Sequence, residues 1–299
     1  MSIVYTIGEA LIDFIPTEKG IGLKDVGGFE RAAGGAPFNV ACAVAKLGGS
    51  SAFIGKLGRD AFGDFLVETM SGIGVDVRHV LRTGEAKTGL AFVSLSSDGN
   101  RDFSFYRNPS ADMLLAADEI GGIPFGSGDI LHFCSVDLIE APVKYAHLQA
   151  IEAVKAMGGI VSFDPNVRLP LWSSPEACRR TILAFLPKAH IVKISDEELA
   201  FVTGLEDEEQ AIASLFTGDV RHVVYTKGAA GAVWYTADER VASRGTPLPW
   251  RTRPARETLH RGAAVSIAYA RITGERSRTG RHPGDAGLRE CGGRDRNDA

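Results

Sequence analysis

Short apolar strands recurring between helical stretches leave few folds open to a chain. DILHFCSV, GGIVSFDPN, AHIVKIS and RHVVYTKG follow one another, each ending in polar or glycine residues. Helical patterns such as APVKYAHLQAIEAVKAMGG and SDEELAFVTG stand between them. This alternation predicts an α/β fold, a mainly parallel sheet covered by helices on both faces. SIVYTIGEALIDFIP begins with another β-rich run, SSAFIGKLG reads as a strand, and DAFGDFLVETMSGIG reads as a helix. TGLAFVSLSSDGNRDFSFYR breaks the rhythm: two β-rich segments meet at Asp98-Gly99, a hairpin signal. Residues 88–107, with the segment around 12–32, are expected to form a small antiparallel flap over one sheet edge.

The 299 residues are enough for one large domain spanning 1–299, and an apolar content of 44% supports a substantial core. A net charge of −4 gives no reason to expect nucleic acid or an anionic membrane surface as partner. No apolar run reaches bilayer-spanning length, and MSIVYTIGEALIDF lacks a basic segment followed by a cleavable apolar stretch. The expected location is the cytoplasm, where Cys42, Cys134, Cys178 and Cys291, scattered without metal-ligand spacing, would be buried or free thiols.

Ligands of open parallel sheets gather outside the carboxyl ends of the strands, and several polar groups fall there. In RAAGGAPFNVACAVAKLGG, Gly34 and Gly35 precede a small-residue helix with Asn39 in its first turn. Amides at such a helix start suit hydroxyls, carboxylates or phosphates; a tight turn before a buried helix is the alternative. SFDPNVRLPLW puts Asp164, Asn166 and Arg168 just past a strand, as a ligand site or as an Asp-Pro-Asn turn. KISDEEL puts Lys193, Ser195 and Glu198 at the next strand-to-helix junction, where a capping box and ligand binding are both open. YTKGAAG follows a strand with Thr226, Gly228 and Gly231, whose backbone could approach phosphates. Neither GxxxxGK[ST] nor a GxGxxG dinucleotide fingerprint is present.

Together these pieces resemble a known family. AAGGAPFNVACAVAKLGGSSAFIGKLGRDAFG is similar to the first signature of the ribokinase-like (PfkB) carbohydrate kinases. GEALIDFIPT, DGNRDFSFYRNPSADMLL, FDPNVRLPLW and KISDEEL resemble its fructokinase group in particular, over about residues 4–239. The resemblance implies a Rossmann-like core with a β lid and phosphorylation of a sugar hydroxyl, here the 6-hydroxyl of fructose. It implies ATP and Mg2+ as cofactors, with K+ as an optional activator, and a homodimer through the lid as an option. It further implies that Asp13, Gly34, Gly35 and Asn39 hold sugar hydroxyls. Lys56 would line the same pocket, and Tyr106 and Arg107 would reach in from the lid. Asp164, Arg168, Asn166, Lys193, Ser195 and Glu198 would lie near substrate, phosphates and metal, with Glu198 toward magnesium. Thr226, Gly228 and Gly231 would border the nucleotide.

The resemblance also demands a turn Asp-Thr-x-Gly-Ala-Gly-Asp, whose amides form an anion hole and whose last Asp is the base. The chain has no such motif, so no catalytic base is assigned. Residues 240–299 carry instead 13 Arg and no Lys, against 10 of each in 1–239. A basic tail for an anionic partner is one account. The genetic code supplies the preferred one. Moved by one nucleotide, with a G ahead and suitable third bases, the codons of WRTRPARETL can read Val-Ala-Asp-Thr-Thr-Gly-Ala-Gly-Asp-Ala. HRGAAVSIA, moved by a different offset, can read Phe-Ile-Ala-Ala-Leu-Leu-Tyr-Gln-Leu. The segment is therefore expected to be frame-shifted near 240–250 and again near 259, and to cover the core poorly as written. DNA sequencing across codons 238–299 is expected to permit this regrouping; codons that forbid it end the idea.

Overall fold

The computed structural model describes residues 2–18, 20–95 and 101–243. Thirteen strands and six α-helices follow in order among them. The large sheet has the order β13-β12-β11-β10-β9-β8-β1-β4-β5. Its central members are β1 (Val4–Ile7), β4 (Ser51–Gly58), β8 (Ile130–Cys134), β9 (Ile160–Asp164), β10 (Ile191–Ser195) and β11 (His222–Thr226). These run parallel, as does β5 (Val80–Thr83) beside β4, so their carboxyl ends share one edge. β12 (Ala232–Tyr235) and β13 (Arg240–Ser243) extend the other side antiparallel. β2 (Leu11–Pro16), β3 (Phe29–Gly34), β6 (Leu90–Leu95) and β7 (Arg101–Tyr106) form a separate sheet in the order β3-β2-β6-β7. This is the expected flap, but it is mixed rather than antiparallel: β2 and β6 pair parallel, because they come from separate segments and not from one hairpin. β2–β3 and the strands on either side of Asp98-Gly99 pair antiparallel; the turn itself lies outside the described residues.

Alternation along the strands sorts the core into two layers. Leu131, Phe133, Val161, Phe163, Val192 and Ile194 face α3 (Pro142–Ala156), α4 (Pro175–Phe185), α5 (Asp196–Thr203) and α6 (Glu208–Ser214) in one continuous buried cluster. Phe133 and Phe163 stack there at 4.6 Å. Val4 and Ile130 point the other way, against Val40 and Val44 of α1 (Ala36–Lys46). Farther along that face Ile191 and Val224 cluster with Ile160 and Trp234. On this same side, which also carries His132, Ser162 and Lys193, the strands finish in Asp164, Ser195 and Thr226.

The β-rich SIVYTIGEALIDFIP is two strands in two sheets, divided at Gly8. Gly8 has φ 139°, and a Cβ there would stand 2.8 Å from Pro37 Cγ. The chain turns out of the main sheet at this point and enters the flap. The flap then rests on α2 (Ala61–Ile73) through its aromatic face. Phe14 stacks on Phe92 at 4.8 Å and meets Phe62 edge-on at 6.0 Å, while the Arg31 guanidinium lies 3.9 Å over the Phe65 ring. β5, β12, β13, α4 and α6 were not singled out by the sequence pattern. Cys42, Cys134 and Cys178 are buried thiols, as expected; Cys291 lies outside the described residues. The expected poor packing of 240–299 bears on 244–299, also outside them, since 240–243 form β13.

One cap joins α2 to the flap. Asp60 Oδ1 accepts the N–H groups of Phe62 and Gly63 and the Thr88 hydroxyl, and Oδ2 accepts the Thr88 N–H. Partial burial opposes the charge, yet these four donors hold the carboxyl below its ordinary range. Asp60→Ala is expected to cost about 1–2 kcal/mol in urea unfolding, as a lost N-cap does. A loss below a few tenths would show that Thr88 and the helix start do not depend on it.

Candidate active site

The first turn of α1 builds one half of the site. Gly35, its N-cap, has φ 107°, and a Cβ there would lie 2.4 Å from the Glu9 carbonyl oxygen. No other residue type fits. A Cβ on Gly34 would lie 2.3 Å from Asp13 Oδ2, so the missing side chain is what lets the Asp13 carboxylate cross the β3 backbone. Asn39 follows one turn on, its N–H donating to the Gly35 carbonyl at 3.0 Å. The amide at the helix start is taken from within: Ala36 N–H donates to Glu9 Oε1 at 2.7 Å, and Pro37 has no N–H to offer. The acid side chain that meets this helix terminus is the protein's own.

Arg107, just past β7, is 6% exposed and donates through one Nη to both Asp112 and Asp137. Asp112 belongs to the Ala111–Leu114 turn and Asp137 to the turn after β8, so the guanidinium fastens the flap to the edge of the main sheet. Burial pushes Glu9 up to about 7 against the pull of Arg107. It also raises Asp137 well above the carboxylate range, with Arg107 again opposing. His147 of α3, fully buried, is pushed down to about 4 and is a neutral ring whose Nδ1 meets the Val143 carbonyl at 2.7 Å.

The second half lies across β9–β11. Lys193 Nζ stands 3.2 Å from Asp164 Oδ1 and 3.8 Å from Glu198 Oε2, with all three buried. Asn166 sits at φ 42°, its N–H donating to Asp164 Oδ1 at 3.1 Å. The Asp-Pro-Asn turn is thus real, and it leaves both side chains at the strand end. Glu198 Oε2 accepts the Ser195 N–H and hydroxyl at 3.0 and 2.8 Å, and Oε1 accepts the Val167 N–H at 2.9 Å. Ser195 and Glu198 therefore form the anticipated capping box and bind the loop after β9 as well. Ser195 pairs with Thr226 in register. Beyond it Gly228 (φ 49°) and Gly231 (φ 100°) shape a short turn in which the N–H groups of Lys227, Ala230 and Gly231 meet the turn's own carbonyls.

The two halves adjoin. Cys134 pairs with Asp164 in register, and the Ser135 N–H donates to the Pro165 carbonyl at 3.3 Å. The Leu169–Leu171 turn, next to Arg168, contacts β7 of the flap, while Arg168 Nη1 donates to the Val167 carbonyl. Asp13, Gly34, Gly35 and Asn39 cluster at the β3–α1 junction, Arg107 stands just past β7, and Asp164, Asn166, Lys193, Ser195, Glu198 and Thr226 lie at the ends of β9–β11. Lys56 is held by the Leu114 carbonyl at 2.8 Å and Glu119 at 2.5 Å, which anchors the segment carrying Asp112. Tyr106 is not brought in: strand alternation turns it to the Phe92 face, 63% exposed, and Phe105 takes the row shared with Asp13 and Ala91. Glu9, Asp112, Asp137 and His147 escaped sequence reasoning. Only the position of Glu9 and Asp137 just past apolar strands could have marked them.

The pattern described as pfkB family carbohydrate kinase matches residues 1–249. The chain is 46% identical over 241 residues to probable fructokinase-4 of Arabidopsis thaliana, covering 80% of this chain and 74% of that one. A fructokinase double mutant from Vibrio cholerae O395, crystallised with fructose, ADP and potassium, superposes with TM-score 0.74 at 37% identity, covering 83% and 77% of the two chains. A fructokinase from Xylella fastidiosa with bound ATP gives TM-score 0.72 at 37% identity, covering 81% and 77%.

The buried acid has a measurable signature. The native state keeps on Glu9 a proton that the unfolded chain releases near 4.5, so its contribution falls as pH rises from about 4.5 to 7. Denaturant titrations are expected to show a shallower fall over that window for Glu9→Gln, and an unchanged slope would mean that Glu9 is ionised in the fold throughout.

Proposed function

The chain belongs to the pfkB family of carbohydrate kinases, and from that premise we propose that it phosphorylates fructose at the 6-hydroxyl with ATP as donor. The observation that carries this reading is the meeting, on one sheet edge, of two unlike polar groups. Under the flap stand Asp13, Asn39 and the buried Arg107, groups that pair with the hydroxyls of a polyol. Beside them Lys193 lies between two carboxylates at the strand ends. Similarity to fructokinases supports fructose over ribose, a nucleoside or 2-keto-3-deoxygluconate as acceptor.

In this reading Asp13, Gly34, Gly35, Asn39 and Arg107 hold the sugar, with Lys56 and Arg168 at its margins. Lys193 faces the transferred phosphoryl group, and Thr226, Gly228 and Gly231 border the nucleotide. Asp164 and Glu198 offer hard oxygen donors of the kind that meet a hydrated divalent cation, and magnesium commonly keeps several waters and takes one or two carboxylates. Among the described residues no cluster of three or more metal-binding side chains competes with that arrangement. Bound magnesium would neutralise charge on the phosphate oxygens. A flap closed over the sugar would exclude water, limiting transfer to it. Potassium as an activator and a homodimer through the flap, whose Tyr106 is exposed, complete the reading, as does a single domain spanning 1–299. Among the described residues no helix is long and apolar enough to cross a membrane, which accords with the cytoplasmic location we assign.

The missing Gly-Ala-Gly-Asp turn favours a second reading for the chain as written: a sugar-binding relative without turnover. Calorimetry with fructose and coupled ADP detection, run on this polypeptide and on a frame-restored one, separates the two. Both are expected to bind fructose, with turnover at least about 10²–10³-fold faster in the restored chain, since the anion hole returns with it. Dominant turnover of another sugar overturns the choice of fructose, and binding without turnover in both chains favours the second reading.

A further inference from the structure

Beneath the first turn of α1, fully buried polar atoms lack hydrogen-bond partners among the described residues. They are Glu9 Oε2, Asp112 Oδ1, Asp137 Oδ2 and His147 Nε2, with Arg107 Nε and Nη1 as donors beside them. They share one neighbourhood. A Cβ on Gly8 would stand 3.7 Å from both Asp137 Oδ2 and His147 Nε2, and one on Gly89 would stand 3.3 Å from Arg107 Cγ and 3.4 Å from Asp112 Oδ1. Glu9 and Asp137 each feel the Arg107 charge. Leaving buried donors and acceptors unmatched side by side is costly. A group that accepts from one and donates to the other removes both costs at once, and an alcohol hydroxyl does this. A carbonyl or an ether oxygen cannot donate, and an ammonium cannot accept.

We propose that Glu9 is a specificity-determining residue whose Oε2 accepts a hydrogen bond from one hydroxyl of the bound sugar while Arg107 donates to the oxygen of that hydroxyl. The proposal rests on the reading of this edge as a sugar site. It gives Glu9 two tasks. Oε1 holds the Ala36 amide and so fixes the Gly34–Gly35 backbone, and Oε2 reads the ligand. Glu9→Gln keeps an acceptor for Ala36 but replaces the reading oxygen with a donor, so it separates the tasks.

The test is calorimetry at pH 8, above the value of about 7 to which burial pushes Glu9, with fructose and a series of analogues each lacking one hydroxyl. On the unmodified chain one analogue is expected to bind about 10²-fold more weakly than fructose, because its absence leaves both buried groups unmatched. In Glu9→Gln fructose itself should weaken, while that one analogue should weaken no further and the remaining analogues should track fructose. Uniform weakening of every ligand in Glu9→Gln, or analogues all within about threefold of fructose on the unmodified chain, overturns the proposal. Should Glu9→Gln lose its cooperative melt, Arg107→Lys, which keeps the cation and lacks Nε, must abolish the penalty for the same hydroxyl; retention of the full penalty overturns it. Absence of any fructose binding by the unmodified, folded chain removes the sugar-site reading instead, and the assignment to Glu9 with it.

Discussion

One buried guanidinium holds the flap and the main sheet in a common frame. Arg107 leaves the last strand of the flap and meets Asp112 and Asp137, neither of them more than 2% exposed. Taking such charges out of water is expensive, and each depends on the others for compensation. Removal of Arg107 alone would strand two carboxylates, a change that in buried pairs costs about 3–5 kcal/mol. The flap's other attachments are the aromatic rings lying on α2, tolerant of small shifts, and the Asp60–Thr88 cap. The ionic one fixes position, and with it the side of the sheet edge that Asp13 faces.

The charges around Arg107 do not balance by themselves. Three carboxyl groups, Glu9, Asp112 and Asp137, surround one guanidinium, and burial raises Glu9 and Asp137 toward their neutral forms. Protons offset what cations do not. Across β9–β11 the arrangement differs: Lys193 lies between Asp164 and Glu198, and Glu198 is further satisfied by three N–H and O–H donors. One half of the edge thus has spare hydrogen-bonding capacity suited to hydroxyls. The other is an ion-paired strip, the part of the edge that we propose meets phosphate and a hydrated metal. A reaction that carries a phosphoryl group to an alcohol needs both, side by side.

Much of this was legible from residue order because its causes are local. Strand alternation and turn chemistry foretold the parallel sheet, the flap and the Asp164–Asn166 turn. The Ser195–Glu198 capping box follows from a three-residue spacing, whereas its extra bond to Val167 depends on a loop 31 residues away and has no local signal. SIVYTIGEALIDFIP read as a single β-rich run because nothing local announces that Gly8 turns against Pro37, a residue of a later helix. Tyr106 and Phe105 are adjacent and both aromatic, so only the flap's register decided which shares a face with Asp13.

By itself the sequence determined the α/β class, the flap, the glycine pair before α1 and the family resemblance, because periodicity, capping and turn preferences act over a few residues. It also determined the loss of the expected Gly-Ala-Gly-Asp turn after residue 239, a matter of letters alone. Only the tertiary structure decided that Glu9 caps α1, that Arg107 reaches Asp112 and Asp137, and that His147 lies neutral behind them. Those facts are products of desolvation and of contacts between distant segments. A carboxyl group in a string of letters carries no mark of how much water it will keep.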